Sequence, residues 1–264
     1  MNHEQLITLQ LPYREAGTKT VRVYVPEHDD GERLPVIYMT DGQNLFEDDR
    51  PFQFGCWYTR EAVREERRNS GKAAIIVGIH NDEGPMQRTS ELTPGCIGAI
   101  RFPDEMPEEV RRMMIPDGES FDAFVLDTVM PEIEKRFPVL SGRENTAFCG
   151  SSSGGLQAYY TVLSHPDRFG YGGVFSPAFS LYATEDVINW TKKAFSPIVP
   201  YLYIYSGSGD QLEQEIREST ETIVQAITDF YPQDKLDVKI LPEQPHHEKA
   251  WAEEFKILLH LFLS

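Results

Sequence analysis

The chain has 264 residues, 40% of them hydrophobic, and 25 Lys+Arg stand against 42 Asp+Glu for a formal net charge of -17. This length and apolar content suit one large domain spanning 1–264 with a substantial core, while so acidic a surface repels nucleic-acid phosphates and anionic membrane faces. Three cysteines, Cys56, Cys96 and Cys149, lie far apart without a CxxC pair, which excludes a disulfide framework and a zinc knuckle.

No apolar stretch approaches the roughly 20 residues of a membrane helix. The opening MNHEQLITLQL lacks the basic start and long apolar segment of a secretion signal, so the expected location is cytoplasmic, with no nucleic-acid or membrane partner. In chain order, LITLQLP (6–12) and KTVRVYVP (19–26) alternate apolar and polar residues, the pattern of an antiparallel hairpin with one wet face at a sheet edge. PVIYMTDG (35–42), AAIIVGIH (73–80), NTAFCG (145–150), GGVFSP (172–177), YLYIYSG (201–207) and LDVKILP (236–242) are nearly continuous apolar runs. Strands buried on both faces have this composition.

Helical period marks 121–137, 154–169, 213–231 and 249–263. Alternating strand and helix predicts an α/β fold, a mostly parallel sheet covered on both faces, with function at the carboxyl ends of the strands. The interval 81–118 is long, irregular and rich in proline and glycine, the composition of a lid or binding loop.

FCGSSSGG, 148–155, holds one G-x-S-x-G register, centred on Ser152. The pattern alone is common, and its context carries the inference. A nucleophile elbow needs a strand, a sharp turn with small neighbours, and a helix. TAFC supplies the strand, Gly150 and Gly154 flank the serine, and LQAYYTVL continues with helical period. Ser153 then opens that helix and can aim its backbone N–H at a developing oxyanion. The competing structural account is a Ser/Gly turn that only caps a helix.

A serine hydroxyl needs a base, and the base a third group that holds its tautomer. In the serine, acid, histidine order of α/β-hydrolases, both follow late strands. YLYIYSGSGD ends in a turn carrying Asp210, with Glu213 and Glu215 as competing acids, and LDVKILPEQPHHEKAW ends in His246 and His247. Of the seven histidines, His3, His28 and His80 precede the serine, while His165 and His260 lie in helices. The strand end leaves the pair His246 and His247.

With these residues in place, the chain resembles the esterase family of α/β-hydrolases that includes enterobactin-type siderophore esterases and feruloyl or acetyl carbohydrate esterases. The resemblance runs nearly end to end, through VIYMTDGQNLF (36–46), VGIHN with RTSELTP (77–94), NTAFCGSSSGGLQAYY (145–160), FGYGGVFSPAF (169–179) and HHEKAW (246–251). It implies the α/β-hydrolase fold and a carboxylic ester hydrolase with nucleophile Ser152, acid Asp210 and base His246, the last placed by its spacing to Glu248 and Trp251. It further implies an oxyanion hole from the backbone N–H groups of Gln43 and Ser153, a small-molecule ester as partner, and no cofactor or metal. The family commonly has glutamate in the acid position. Acyl transfer by the same triad, or a binding protein that has lost the chemistry, are the alternative functions.

Other groupings read as structural. FEDD (46–49) with Asp41 lacks the alternating ligand spacing of a calcium loop and reads as a solvated acidic loop. Arg88 and Glu91 read as an ion pair of the loop, and Trp57 and Trp251 as core or pocket wall.

Overall fold

A computed structural model describes residues 2–47, 55–102 and 106–264. Eight strands form one sheet in the order β1-β2-β4-β3-β5-β6-β7-β8. They are β1 (Gln5–Tyr13), β2 (Gly17–Val25), β3 (Val36–Met39), β4 (Ile75–Ile79), β5 (Thr146–Ser151), β6 (Tyr171–Phe175), β7 (Tyr201–Ser206) and β8 (Leu236–Ile240). The alternating segments form the expected hairpin, Gln5 opposite Val25 and Tyr13 opposite Gly17, with β1 at the edge. β2 also joins β4 antiparallel, and every later pairing is parallel. This is the α/β-hydrolase architecture the sequence implied.

Side chains of a strand point alternately to its two faces, so each apolar run feeds two cores at once. Val36 and Tyr38 enter the core on one face, and Ile37 and Met39 the core on the other. Phe148 divides in the same way from Ala147 and Cys149. Two helices close the second face: α1 (Thr59–Ser70) through Ala62 and Val63, and α9 (Glu248–Leu263) through Trp251, Phe255, Leu258 and Leu259. Burying each of these large side chains stabilises the fold by roughly 1.5–3 kcal/mol.

The first face is covered by α4 (Gly118–Phe124), α5 (Met130–Arg136), α6 (Ser153–Ser164), α7 (Thr184–Ala194) and α8 (Gln211–Thr228). The segment expected as one helix over 121–137 begins at Gly118 and passes through a π turn, Val125–Val129. Strand LDVKILP differs from expectation as well. β8 closes the open edge of the sheet and all five of its residues are only half-buried, because an edge strand has a neighbour on one side alone. The interval 81–118 is less irregular than its composition suggests and contains α2 (Pro85–Glu91) and α3 (Glu108–Met113).

From β3 the chain crosses to β4 on one side, then returns to β5 on the other. At such a reversal two neighbouring connections leave in opposite directions and open a crevice above the strand ends. The turns after β3 and β5 carry Asp41 and Ser152. Among the described residues no helix is long and apolar enough to cross a membrane.

Candidate active site

Ser152 stands between the end of β5 and the start of α6 with φ 59 and ψ -124, a region that costs a non-glycine residue about 1–3 kcal/mol unless its surroundings fix it. Three backbone hydrogen bonds do so. Ser152 N–H donates to the Phe175 carbonyl at 3.0 Å, and the Ser152 carbonyl accepts from Leu156 and Ala178, each at 3.0 Å. The flanking glycines are required by space: a Cβ on Gly150 would collide with the Gly154 backbone, and one on Gly154 with the Thr40 side chain. Ser153 is buried at the first position of α6, where a backbone N–H has no partner inside its own helix.

After β3 the chain turns through Asp41, φ 55, into a 3-10 turn Gly42–Asn44 that lies against β4, since a Cβ on Gly42 would strike the Gly78 backbone. Asp41 is buried and held by Arg88 from α2 in a two-pronged ion pair, Nε to Oδ1 at 2.5 Å and Nη2 to Oδ2 at 2.8 Å. Arg88 Nη2 also donates to the Ser151 carbonyl at 3.2 Å. One guanidinium therefore ties the turn after β3 to the last residue of β5, next to Ser152. Burial alone would lower the Arg88 pKa, but Asp41 outweighs it and holds the guanidinium charged.

Arg88 and Glu91 do not pair with each other, contrary to the sequence expectation. One helical turn points them to different partners: the Glu91 carboxylate accepts from Lys19 at 2.5 Å, from the Tyr13 hydroxyl at 2.7 Å and from the Asp82 backbone N–H at 2.7 Å. Asp41 belongs to the Arg88 pair rather than to a solvated acidic loop, and Asp48 and Asp49 of that reading lie outside the described residues. The side chain of Gln43 donates to Asn81 Oδ1, just after β4, at 2.7 Å, which leaves its backbone N–H as the group to consider for oxyanion binding.

The two histidines part company. His246 precedes α9, and its Nδ1 lies 2.6 Å from Oε2 of Glu213. A carboxylate at that distance accepts the hydrogen bond of Nδ1–H and so keeps the proton on Nδ1, which leaves Nε2 as the acceptor of the neutral ring. The ring stands edge-on to Trp251, centroids 4.9 Å apart at 89°. His247 instead caps α9, its Nδ1 accepting from the Lys249 N–H at 3.1 Å.

The carboxylate on the ring is thus Glu213 and not Asp210. Asp210 is the N-cap of α8: Oδ1 accepts from the Glu213 N–H and Oδ2 from the His246 backbone N–H, each at 2.8 Å. It holds the backbone on both sides of the Glu213–His246 contact without touching the ring. Glu215 is exposed on the outer side of α8, near Gln211.

Glu213 is fully buried. Burial pushes its carboxyl upward, but His246, Ser176 and the Gly207 N–H together hold it below the usual range. Ser176 Oγ donates at 2.6 Å and Gly207 N–H at 2.6 Å. Trp251 Nε1 donates in turn to Ser176 Oγ at 2.9 Å. Sequence reasoning missed Ser176, a buried serine with φ 42 just after β6. For Glu213 the sequence does hold a signal: Glu213, Ile216, Thr220, Ile223 and Ile227 form the buried stripe of α8, and an acid on such a stripe must find a partner inside.

Ser152 and His246 line one cleft, about 580 Å³ including its open mouth, walled by Trp57, Trp251 and Pro85. Trp57 and Trp251 are at once core and wall, with ring centroids 5.8 Å apart. Asp41, Arg88 and Glu248 also face it. A strained serine, an imidazole on a buried carboxylate and a crevice at the strand reversal thus meet at one end of an α/β-hydrolase fold.

Residues 16–256 match the family model described as "Putative esterase", and the chain belongs to that family. It is 31% identical over 202 residues to an endo-1,4-beta-xylanase/feruloyl esterase of Xylanibacter ruminicola, an alignment covering 73% of this chain but only 22% of that relative. Similar solved structures include a siderophore hydrolase of Aspergillus nidulans, with TM-score 0.75 and 18% identity over 97% of this chain and 94% of that one. An IroE-like serine hydrolase of Shewanella oneidensis gives 0.74 and 16% over 98% and 80%. A ferulic acid esterase of Anaeromyces mucronatus gives 0.61 and 18% over 98% and 91%.

Proposed function

We propose that the protein hydrolyses carboxylic esters through an acyl-enzyme, with Ser152 as nucleophile, His246 as base and Glu213 as the carboxylate of the triad. His246 Nε2 takes the Ser152 proton as the oxygen attacks the ester carbonyl, then gives that proton to the departing alcohol. Water repeats the sequence in reverse and frees the acid. Glu213 keeps the proton on Nδ1 throughout and stabilises the imidazolium that forms at each step. The N–H groups of Ser153 and Gln43, from the turns after β5 and β3, are the donors proposed for the oxyanion, each worth on the order of 10²–10³ in kcat.

The observation that carries this reading is the 2.6 Å contact between His246 Nδ1 and the buried Glu213 in a cleft shared with the strained Ser152. Two tryptophans on the wall favour a substrate with a broad apolar group. The feruloyl and siderophore esters named for the similar proteins are the substrate classes to assay first. Ser152→Ala is expected to lower hydrolysis of a small activated ester by on the order of 10⁴-fold or more, measured as kcat on folded protein. Turnover close to wild type would refute the mechanism.

A further inference from the structure

Glu248 opens α9 two residues after His246 and faces the cleft, yet the reaction proposed above makes no use of it. The residue is only 3% exposed. Its Oε1 lies 3.4 Å from Asn44 Nδ2, while its Oε2 and the Asn44 Oδ1 have no hydrogen-bond partner among the described residues. Two oxygens of neighbouring side chains are thus left unmatched in the lining of the cleft. A buried polar atom without a partner costs about 1–3 kcal/mol, so their persistence at a ligand site points to a ligand group that completes them.

The charges around Glu248 decide its form. Asp41 and Arg88 face it across the cleft from the turn after β3 and from α2, His246 precedes it, and His247 and Lys249 flank it on its own element. Arg88 is already committed to Asp41 through both prongs. Arg88 therefore offsets a charge on Glu248 only in part. Burial, reinforced by the Asp41 charge, pushes the Glu248 carboxyl up to about 7, with its own N–H, Arg88 and Asn44 pulling only partly the other way. Below that pH the group is a neutral acid, with one O–H to donate and one carbonyl oxygen to accept.

We propose that Glu248 is a specificity-determining residue: in its neutral form it acts with Asn44 as a paired donor and acceptor that receives a hydroxyl group of the ester substrate. A hydroxyl both gives and takes a hydrogen bond. It can accept from Glu248 and donate to Asn44 Oδ1, filling both unmatched positions. A carboxylate in the same place would face Asp41 and could offer Asn44 Oδ1 no proton. The site therefore selects neutral, hydroxylated esters over unsubstituted and over anionic ones. This rests on the ester-hydrolase reading above and deepens it.

The test uses pairs of esters that differ by one hydroxyl, one series substituted on the acyl part and one on the alcohol part. kcat/KM is measured for the wild type, Glu248→Gln and Glu248→Leu between pH 6 and 8.5. Within each pair the ratio cancels any pH effect common to both esters and any shared loss of folded protein. In at least one series the wild type is expected to favour the hydroxylated member by about 10- to 100-fold at pH 6, and that preference should fall as pH rises through about 7.

Glu248→Gln, which keeps a neutral donor, should retain the preference and lose its pH dependence. Glu248→Leu should bring the ratio close to one. A wild-type ratio near one in both series, a ratio unaffected by pH, or one unchanged in Glu248→Leu would overturn the assignment. If Glu248→Leu does not fold, the wild-type pH series and Glu248→Gln still decide. Ser152-dependent turnover with flat ratios would defeat this inference alone, whereas no Ser152-dependent turnover of any pair would defeat the hydrolase reading and this inference with it.

Discussion

The two halves of the cleft are built in different ways. The half that carries Ser152 is local: β5, the Ser152 turn and the first turn of α6 occupy 146–155, and each requirement for small residues is met within that stretch. The relay half is assembled from three connections, with Ser176 after β6, Glu213 on α8 after β7, and His246 after β8. A local device is fixed by backbone strain and tight packing. A distributed one is fixed by hydrogen bonds between side chains that meet only when the sheet is complete. The first should tolerate side-chain changes in the connections after β7 and β8, and the second should fail whenever one of its connections shifts.

The largest effect that sharpens this contrast is on Glu213. Glu213→Gln keeps the shape of the residue but not the charge that holds the imidazolium, and kcat is expected to fall by about 10³- to 10⁴-fold with the fold retained. Asp210→Asn should cost less than about 10-fold in kcat, together with about 1 kcal/mol of stability from the weakened cap. Steady-state kinetics and urea unfolding on both variants check this. A larger kinetic loss in Asp210→Asn would return the acid role to Asp210.

Arg88→Met comes next, because it leaves Asp41 buried without its cation. Unfolding free energy is expected to drop by about 3–5 kcal/mol, read by denaturant titration, with kcat also lowered as the turn bearing Gln43 loosens. A variant as stable as wild type would mean that the ion pair does not join the two turns. The smallest effect belongs to His247→Ala, expected to cost less than about 1 kcal/mol for the lost cap and to leave kcat within a few-fold. A collapse of kcat there would move the base from His246 to its neighbour.

The same contrast explains what could be read from the residues alone. The elbow was legible because a strand, small residues and a helical period are adjacent in FCGSSSGGLQAYY. The choice between His246 and His247 came from resemblance, and the structure separates them by what each Nδ1 touches. Asp210 sits in the turn where an acid is expected. That turn uses it as a helix cap, and the carboxylate one turn further on is aimed inward by the buried stripe of α8. Nor does periodicity contain the Asp41–Arg88 pair, whose members stand 47 positions apart and meet only because α2 folds back over the turn after β3. Sheet order was readable only in part, since alternation gives the hairpin and the buried strands but not the reversal between β3 and β5.

The hairpin has a consequence for the chemistry that its edge position hides. Lys19 on β2 and Tyr13 on β1 grip Glu91, the last residue of the helix whose preceding turn carries Arg88. The amino-terminal ribbon therefore acts as a strut, transmitting the rigidity of the outermost strands through α2 to the turn beside Ser152. Damage at the rim of the sheet, far in sequence from every reacting atom, would be felt as a loss of catalytic alignment before it was felt as unfolding.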